Sequence, residues 1–373
     1  MRAFGSKAPK ADAAQSLNNP GTLLRLQTVR QSTEDARMKA AVIYEHGGPG
    51  AIRYEKAFPD PRPGAEDVIV RVRATSLNYH DIFTRRGMPG IKVPMPCIMG
   101  LDFAGDIVEV GPGVEDWKAG DRVLIDPVDR VGPGGLMGEM WHGGLAELAR
   151  VPAHHLVRLP GDVTFEQAAC LPVAYGTALR MMYTIGKIEA GDKVLILGAS
   201  GGVGTCCVQL AKNAGCEVIA CASSPEKLER LAALGADTLI DYTKQDYVKL
   251  IYEKYGKPHR RRFTGGVDVV VNYTGGDTWV PSLKVLHRQG KVLTCGATAG
   301  FDPKEDLRFI WTFELQVLGS NGWMREELVE LVELVRQGKI KPVVDKELPL
   351  EDANEAFAML EDRRIFGKVL LKP

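Results

Sequence analysis

An apolar strand that runs straight into a glycine-rich turn is encoded by residues 193–204, Lys-Val-Leu-Ile-Leu-Gly-Ala-Ser-Gly-Gly-Val-Gly. Read from Ala199, the turn has the pattern A-x-G-x-x-G, and a helical stretch follows it over residues 203–214. Small residues let the backbone turn tightly, and the helix N-terminus offers unpaired N–H groups to an anion. The stretch therefore predicts a site for a dinucleotide pyrophosphate, with a glycine turn kept only for packing as the alternative.

Strands and helices alternate around this turn. Apolar strands are expected at 193–197, 217–220, 238–240, 267–271 and 291–294, and helices at 203–214, 225–234, 247–255 and 279–287. Continuous apolar strands imply a sheet that is covered on both faces, so residues 166–310 are predicted to form a parallel, doubly wound domain. Ligands of such domains bind where the carboxyl ends of the strands meet.

The flanking segments have a different pattern. Residues 38–165 contain short β-branched strands with frequent Gly and Pro turns, which predicts a β-rich barrel or sandwich-like domain. Residues 311–373 are expected to return to that domain. The first 30 residues carry five basic residues and one acid. Residues 1–37 are interpreted as an extension that is mobile or attached to the surface, as the product of an upstream start codon, or as an organelle transit segment.

Composition excludes several classes of protein. The 373 residues include 47 Lys+Arg and 47 Asp+Glu, so no net charge favours nucleic acid or an acidic membrane. No apolar run reaches the roughly 18–20 residues that span a bilayer. Seven cysteines without a C-x-x-C pair argue against a secreted disulfide framework, and a reducing compartment is expected.

The end of the second strand of the parallel domain indicates which dinucleotide binds. An NAD site usually has an acid there, but Ala222 stands in its place. The hydroxyls of Ser223 and Ser224 and the cation of Lys227 can instead hold a 2′-phosphate, which favours NADP(H). Capping of the next helix is the alternative role of the two serines, and both roles can coexist.

Residues 38–373 resemble the medium-chain dehydrogenase/reductase superfamily, in its zinc-free quinone oxidoreductase and enoyl reductase branch. The motifs that carry the resemblance are residues 76–81 (SLNYHD), 100–105 (GLDFAG), 108–114 (VEVGPGV), 119–123 (AGDRV), 198–204 (GASGGVG) and 366–369 (FGKV). The resemblance implies an α/β protein with a GroES-like catalytic domain (38–165 and 311–373) and a Rossmann NADP(H)-binding domain (166–310).

The resemblance also implies cofactor contacts. Lys227 and Tyr242 stand where NADPH-using relatives contact the adenosine phosphate, residues 295–298 resemble the segment near the nicotinamide, and Lys368 resembles a basic residue near the cofactor. A strand-end aromatic is the alternative for Tyr242. The candidate cofactor-binding residues are Ser200, Gly201, Gly202, Val203, Ser223, Ser224, Lys227, Tyr242, Thr274, Cys295, Gly296, Ala297 and Lys368.

No metal site is expected. Zinc relatives carry cysteine and histidine at the positions of Asn78 and Leu101, and neither residue here is a good zinc ligand. The four closely spaced cysteines of the structural zinc lobe are also missing from 126–144. The alternative is a site rebuilt from His80, Asp81, Cys97 or Asp102, whereas His142, His154 and His155 are interpreted as surface or packing residues.

Without a metal to stabilise an alkoxide, the expected reaction is hydride addition to a carbon–carbon double bond polarised by a carbonyl. The candidate catalytic residues are Asn78, Tyr79 and His80. Asn78 can hold the cofactor ribose or the substrate carbonyl, Tyr79 can donate its phenolic proton, and His80 can relay a proton. A turn-fixing amide, a packed aromatic and an internally satisfied imidazole are the respective alternatives, with solvent as the proton source.

The sequence thus predicts an NADPH-dependent reductase that acts on an enone, a quinone or an enoyl thioester. A zinc-dependent alcohol dehydrogenase and a non-catalytic NADPH-binding protein are the alternatives. No nucleic-acid or membrane partner is expected. The resemblance implies a homodimer. A cytoplasmic location is expected, or the mitochondrial matrix if residues 1–37 are a transit segment.

Overall fold

The computed structural model describes residues 37–88 and 92–373, so the predicted extension of residues 1–37 lies almost wholly outside the described residues. The strands are β1 Arg37–Ile43, β2 Ile52–Pro59, β3 Asp67–Ser76, β4 Cys97–Ile98, β5 Asp102–Val110, β6 Arg122–Ile125, β7 Leu148–Pro152, β8 Leu156–Arg158, β9 Lys193–Ile196, β10 Glu217–Ala222, β11 Thr238–Asp241, β12 Val267–Val271, β13 Leu286–Thr294, β14 Gln316–Gly319, β15 Val344–Pro349 and β16 Lys368–Lys372. The α-helices are α1 Tyr79–Arg86, α2 Phe165–Ala169, α3 Thr177–Leu179, α4 Gly202–Asn213, α5 Pro225–Ala233, α6 Tyr247–Tyr255, α7 Trp279–Val285, α8 Leu307–Phe313, α9 Arg325–Arg336 and α10 Ala353–Glu361. π-Helical turns cover Leu171–Gly176 and Arg180–Ile185, and 3₁₀ turns cover Ala153–His155, Gly276–Thr278 and Leu350–Asp352.

The six-stranded parallel sheet has the strand order β11-β10-β9-β12-β13-β14. Its central strand β9 pairs with β10 on one side and with β12 on the other, and its apolar side chains are buried. This is the Rossmann order, in which the chain reverses direction across the sheet between β9 and β12 and leaves a crevice at their carboxyl ends. Its sixth strand, Gln316–Gly319, lies beyond position 310, where the sequence places the end of this domain.

The β-rich part contains a mixed sheet in the order β15-β16-β3-β5-β6-β8, with β7 also paired to β3, and a three-stranded sheet β2-β1-β4. Strand β16 runs antiparallel to β3, where Leu370 pairs with Ser76, so the C-terminal segment completes a sheet that the N-terminal segment begins. The predicted α/β fold, with a GroES-like part beside a Rossmann sheet, is confirmed.

One buried core joins the two sheets. It includes Ala104 and Leu124 from the mixed sheet and Val194 and Ile196 from the parallel one. The backbones also meet directly, because the Gly367 N–H donates to the carbonyl of Ser200 over 2.8 Å. The glycine-rich turn therefore lies against the start of β16, and that junction positions the candidate site.

Within the described part of the chain, every helix is too short or too polar to cross a membrane.

Candidate active site

The glycine-rich turn joins β9 to α4 with the geometry that a pyrophosphate needs. Gly198 adopts a left-handed backbone (φ +66°), and a Cβ on Gly204 would lie 2.6 Å from the backbone of Ala199, so both positions require glycine. Gly201 stands at the N-cap of α4 and has no side chain to accept the first amide N–H groups of the helix. These amides remain for an anion, so the turn fits a dinucleotide.

A polar loop after β12 covers this turn. The Tyr273 hydroxyl donates to the carbonyl of Gly198 over 2.8 Å. Asn272 is completely buried, and its Oδ1 accepts the N–H groups of Thr274 and Gly275 at 3.0 Å each. Thr274 thus lies at the carboxyl edge of the sheet, in the loop that contacts the glycine-rich turn.

The segment after β13 lies against the same loop. The carbonyl of Thr274 accepts the N–H of Ala299, and the Cβ of Ala297 lies 3.0 Å from where a Cβ on Gly275 would stand. Cys295 is half-buried, and burial raises the pKa of its thiol to about 12, so it is a neutral thiol. The predicted group of Thr274, Cys295, Gly296 and Ala297 therefore lies together at the carboxyl ends of β12 and β13.

The predicted phosphate pocket lies at the end of β10, away from that wall. Ser224 caps α5, because its Oγ accepts the N–H of Lys227 at 3.3 Å, while Ser223 is exposed. Tyr242 is 46% exposed, and its N–H donates to the carbonyl of Ala222. The capping role of Ser224 is therefore present, and the hydroxyl of Ser223 and the ring of Tyr242 face solvent at the edge of the sheet.

Charges of both signs surround Lys227. Its Nζ donates to the carbonyl of Arg363 over 2.8 Å. Burial lowers the pKa of Lys227, and the nearby charges of Arg230 and Arg363 lower it further against the opposing effect of Asp345 and Glu226. Arg230 is paired with Asp345 over 2.6 Å, so Lys227 and Arg363 are the cations of this corner that a phosphate dianion would meet.

Lys368 joins the glycine-rich turn to the catalytic candidates. It is 2% exposed, and its Nζ lies 2.5 Å from Asn78 Oδ1 and 3.3 Å from Asp102 Oδ2. A Cβ on Gly202 would lie 2.9 Å from the Lys368 Cδ, so the lysine stem packs directly on the turn. Asp102 is further held by the N–H of Val173, which donates to Oδ1 over 3.0 Å.

Asn78 presents a buried and unpaired amide group to this site. Its Oδ1 accepts from Lys368, whereas its Nδ2 is buried and has no hydrogen-bond partner. An unpaired buried donor costs about 1–3 kcal/mol, so it is retained where a ligand can satisfy it. The orientation of the amide follows from Lys368, because an ammonium can only donate and so must face the amide oxygen.

Asp81 is a second buried acid beside Asn78. Its Oδ2 accepts the backbone N–H of Asn78 at 2.8 Å, which holds Asn78 at the N-cap of α1, and its Oδ1 is unpaired. Burial raises the pKa of Asp81 to about 6, and the charge of Asp102 acts in the same direction. Asp81 is therefore an acid that titrates near neutral pH inside the site.

His80 and Tyr79 differ in what they contact. His80 Nε2 lies 2.5 Å from Oε2 of the buried Glu139; burial opposes the charged imidazole, but the bond and charge of Glu139 outweigh it and raise the His80 pKa. The Tyr79 ring packs edge-on against Phe83 at 5.3 Å and lies against the β-rich core. The packed aromatic proposed as the alternative for Tyr79 is thus present, and its hydroxyl bonds to no other described residue.

At the two positions where zinc relatives carry ligands, the cleft between the glycine-rich turn and α1 offers no free donor atom. Leu101 is buried with nothing to coordinate an ion, and the Asn78 oxygen is taken by Lys368. The Cys97 thiol donates toward the carbonyl of Gly138 at 3.7 Å, and burial raises its pKa to about 12. The positive charge next to the Asp102 carboxylate comes from the ammonium of Lys368, 3.3 Å away.

Several site residues were missed from the sequence. The sequence suggests Asp81 and Asp102 only as ligands of a rebuilt metal site, and it predicts no role for Glu139, Asn272 or Tyr273. For Asn272 and Tyr273 a signal existed, since polar residues directly after an apolar strand at the switch point face the ligand crevice. Glu139 offered no local signal, because it contacts His80 across 59 residues of sequence.

Comparison with known proteins places this geometry in a family. The family model for the alcohol dehydrogenase GroES-like domain matches residues 64–161, and the model for zinc-binding dehydrogenases matches residues 202–337. The chain is 34% identical to the chloroplastic NADPH-dependent alkenal/one oxidoreductase of Arabidopsis thaliana, with 90% of this chain and 80% of that protein covered. It is 32% identical to the synaptic vesicle membrane protein VAT-1 homolog of Homo sapiens, with 90% and 86% covered.

A solved structure agrees with the fold over nearly the whole chain. The crystal structure of an NAD-dependent alcohol dehydrogenase matches with a TM-score of 0.83 and 35% identity, and covers 90% of this chain and 100% of that one. The alkenal/one oxidoreductase and the alcohol dehydrogenase differ in the reaction and the cofactor that their names give. The choice between these two reactions for the present chain therefore depends on the residues of its own cleft.

Proposed function

This chain belongs to the medium-chain dehydrogenase/reductase superfamily, and from that premise we propose that it is an NADPH-dependent reductase of α,β-unsaturated carbonyl compounds that works without a catalytic metal. A quinone is the related acceptor. The observation that carries the proposal is the contact of Lys368 Nζ with Asn78 Oδ1 and Asp102 Oδ2, which places a lysine cation between residues that are too poor in ligands to hold zinc.

NADP(H) is the proposed cofactor. The turn 200–203 and the first turn of α4 would hold the pyrophosphate, and Lys227 with Ser223 and Tyr242 would hold the adenosine 2′-phosphate. Support comes from Ala222, which leaves no acid for ribose hydroxyls at the end of β10, and from the cations near Lys227. Among the relatives, the alkenal/one oxidoreductase is NADPH-dependent by name, and the alcohol dehydrogenase is NAD-dependent by name.

When bound, the cofactor supplies a hydride for the β-carbon of the substrate. The residues of the chain orient and stabilise the substrate. Asn78 Nδ2 would donate to the carbonyl oxygen, where negative charge develops as an enolate forms, and Lys368 would hold the amide in that orientation through Oδ1. His80, paired with Glu139, would return a proton to the α-carbon through solvent, with Tyr79 as the second candidate donor.

The fate of the carbonyl separates this reaction from alcohol oxidation. An alkoxide formed at the carbonyl carbon concentrates charge on one oxygen, and zinc usually stabilises that charge in this fold. An enolate spreads its charge over oxygen and carbon, so hydrogen-bond donors such as Asn78 suffice. The cleft offers donors and a lysine cation, which supports alkene reduction over the alternative of a zinc-dependent alcohol dehydrogenase.

The association and location of the protein are also proposed. Strand β14 is an edge of the parallel sheet, and Val317 on it is 44% exposed, which supports a homodimer formed through the cofactor domain. A cytoplasmic location is proposed, with the mitochondrial matrix as the alternative. Sedimentation equilibrium tests the dimer. The location in the cell of a fluorescent protein fused to the end of residues 1–37 tests the choice between cytoplasm and mitochondrial matrix.

The experiment for the proposed function is a screen that follows NADPH oxidation by the purified protein with small enones, quinones and enoyl thioesters. Simple alcohols with NADP⁺ or NAD⁺ form the comparison arm. Turnover of enones or quinones that persists after metal chelation supports the proposal. Alcohol oxidation that needs a metal would favour the dehydrogenase alternative, and cofactor binding without any turnover would favour a non-catalytic NADPH-binding protein.

A further inference from the structure

A second constellation lies outside the cleft, where the turn after β6 meets the turn between β7 and β8. One nitrogen of each imidazole of His154 and His155 and one carboxylate oxygen of Asp129 all lie within 4.8 Å of one another. We propose that these three residues bind a divalent transition metal ion, with Zn²⁺ as the preferred ion. The proposal concerns a different place from the cleft and is independent of the reductase reaction.

His155 is already arranged as a metal ligand. It is 1% exposed, and its Nδ1 lies 2.7 Å from the carbonyl oxygen of Asp126. A carbonyl can only accept, so Nδ1 carries the hydrogen and the neutral ring has its lone pair on Nε2. This Nε2 is buried and has no hydrogen-bond partner. Metal-binding histidines are commonly oriented in this way, with the other ring nitrogen donating to a backbone carbonyl.

Asp129 is fixed as an anion by its own turn. Its Oδ1 accepts the N–H groups of Val131 and Gly132 at 3.1 and 2.8 Å, and its Oδ2 accepts that of Gly134 at 3.1 Å. Three backbone N–H groups therefore hold the carboxylate in place, and Oδ2, which accepts only one of them, keeps a lone pair for an ion.

His154 completes the set from the solvent side. Its Nε2 is 3.3 Å from Asp129 Oδ1, its side chain is 39% exposed, and its ring centroid lies 4.5 Å from that of His155. The exposed side of His154 leaves room for water as a fourth ligand. Two imidazole nitrogens and one carboxylate oxygen are a donor set typical of zinc, whereas Mg²⁺ and Ca²⁺ prefer oxygen ligands alone.

Such an ion would tie together segments that already contact the start of α9. The carboxylate of Asp126 accepts from the Trp323 indole at 3.2 Å, and Arg130 donates to the Trp323 carbonyl at 2.7 Å. On the other segment, Arg325 donates to the carbonyl of His154 at 2.9 Å. The metal would therefore stabilise the junction between the β-rich sheet and α9, and we assign it a structural role.

The test uses the full-length protein, stripped with a chelator and titrated with Zn²⁺ and, separately, with Co²⁺. We expect one equivalent of either ion to bind, a Co²⁺ absorption spectrum typical of tetrahedral coordination, and a higher Tm with zinc than without. His154→Ala and Asp129→Asn should each weaken zinc binding by at least about tenfold and abolish the Tm increase. His142→Ala, which removes another exposed histidine outside the set, should leave the zinc affinity unchanged.

Three results would overturn the proposal. One is the lack of any stoichiometric binding of zinc or cobalt by the stripped wild-type protein. Another is binding that survives both His154→Ala and Asp129→Asn while circular dichroism confirms that the variants are folded. If the ion is lost instead in Cys97→Ser or Asp102→Asn, it sits in the cleft, which would refute this site and the metal-free reaction at once. If zinc binding is lost in His154→Ala but not in the cleft variants, the proposed reductase reaction is unaffected.

Discussion

Replacing Lys368 by methionine tests how strongly the cleft depends on its buried cation. Lys368→Met keeps the aliphatic stem that packs on the glycine-rich turn and removes only the ammonium. Lys372→Met is the matched control, because Lys372 lies on the same strand and also forms an ion pair, with Glu166. The two pairs differ in burial: the side chains of Lys368 and Asp102 are 3% and 0% exposed, and those of Lys372 and Glu166 are both 32% exposed.

The expected magnitudes follow from that difference. Without the ammonium, Asn78 Oδ1 and Asp102 Oδ2 lose a donor at 2.5 and 3.3 Å, and Asp102 keeps the N–H of Val173. Breaking a buried ion pair by removing one partner costs about 3–5 kcal/mol. Removing one partner of a solvent-exposed pair costs about 0–1 kcal/mol. We therefore expect Lys368→Met to lower the free energy of unfolding by at least about 2 kcal/mol more than Lys372→Met does.

The pH dependence has a defined sign. Burial raises the pKa of Asp102, and the charge of Lys368 opposes that rise. In Lys368→Met the pKa of Asp102 rises further, so the carboxyl takes up a proton as the pH falls and no longer needs a cation. The penalty of Lys368→Met should therefore shrink from pH 8 toward pH 5. Urea unfolding of both variants across this range measures it, and equal, pH-independent losses in the two variants would refute the reasoning.

Three further outcomes are expected. Burial raises the pKa of Asp81 from its ordinary 3.8 to about 6. The free energy of unfolding of the wild type, measured against that of Asp81→Asn, should therefore fall by up to about 3 kcal/mol as the pH rises from about 4 to about 6. Urea unfolding measures the difference, and a difference that does not change with pH would contradict this expectation. Lys227→Ala should raise the KM for NADPH about tenfold and leave the KM for NADH nearly unchanged, whereas the exposed control Lys244→Ala should change neither. Equal effects of Lys227→Ala on both cofactors would argue against a phosphate contact. Glu139→Gln removes the charge that outweighs the burial of His80, so the His80 pKa should fall in an NMR titration of the ring; an unchanged pKa would remove Glu139 from this role.

Local patterns were sufficient to predict the cofactor half of the molecule. The apolar strand at 193–196 and the glycines after it form one continuous stretch, and their burial and φ angles follow from residues adjacent in sequence. The end of β10, with Ser224 at the helix cap and Lys227 one turn later, is likewise a local arrangement. Such features depend on strand periodicity and helix capping, which a single sequence records.

The catalytic half could be predicted only in part. The sequence predicts a role for Asn78, but its partner Lys368 lies 290 residues away, and Asp102 lies 266 residues from the same lysine. That pairing depends on β16 returning beside β3, and strand pairing over such distances leaves no periodic pattern in the sequence. His154 and His155 show the same limit. The sequence predicts surface or packing residues, and His154 is exposed while His155 is buried, but their proximity to Asp129, 25 residues from His154, could not be predicted.

The most direct test of the proposed chemistry follows a label instead of a rate. NADPH that carries deuterium at the transferable position is turned over with an α,β-unsaturated ketone by chelator-treated protein, and the product is analysed by NMR. We expect the deuterium on the β-carbon, a solvent-derived proton on the α-carbon and an intact carbonyl group. Deuterium on the carbonyl carbon of an allylic alcohol, formed only after zinc is restored, would contradict the proposal that Asn78 and Lys368 direct hydride to an activated alkene.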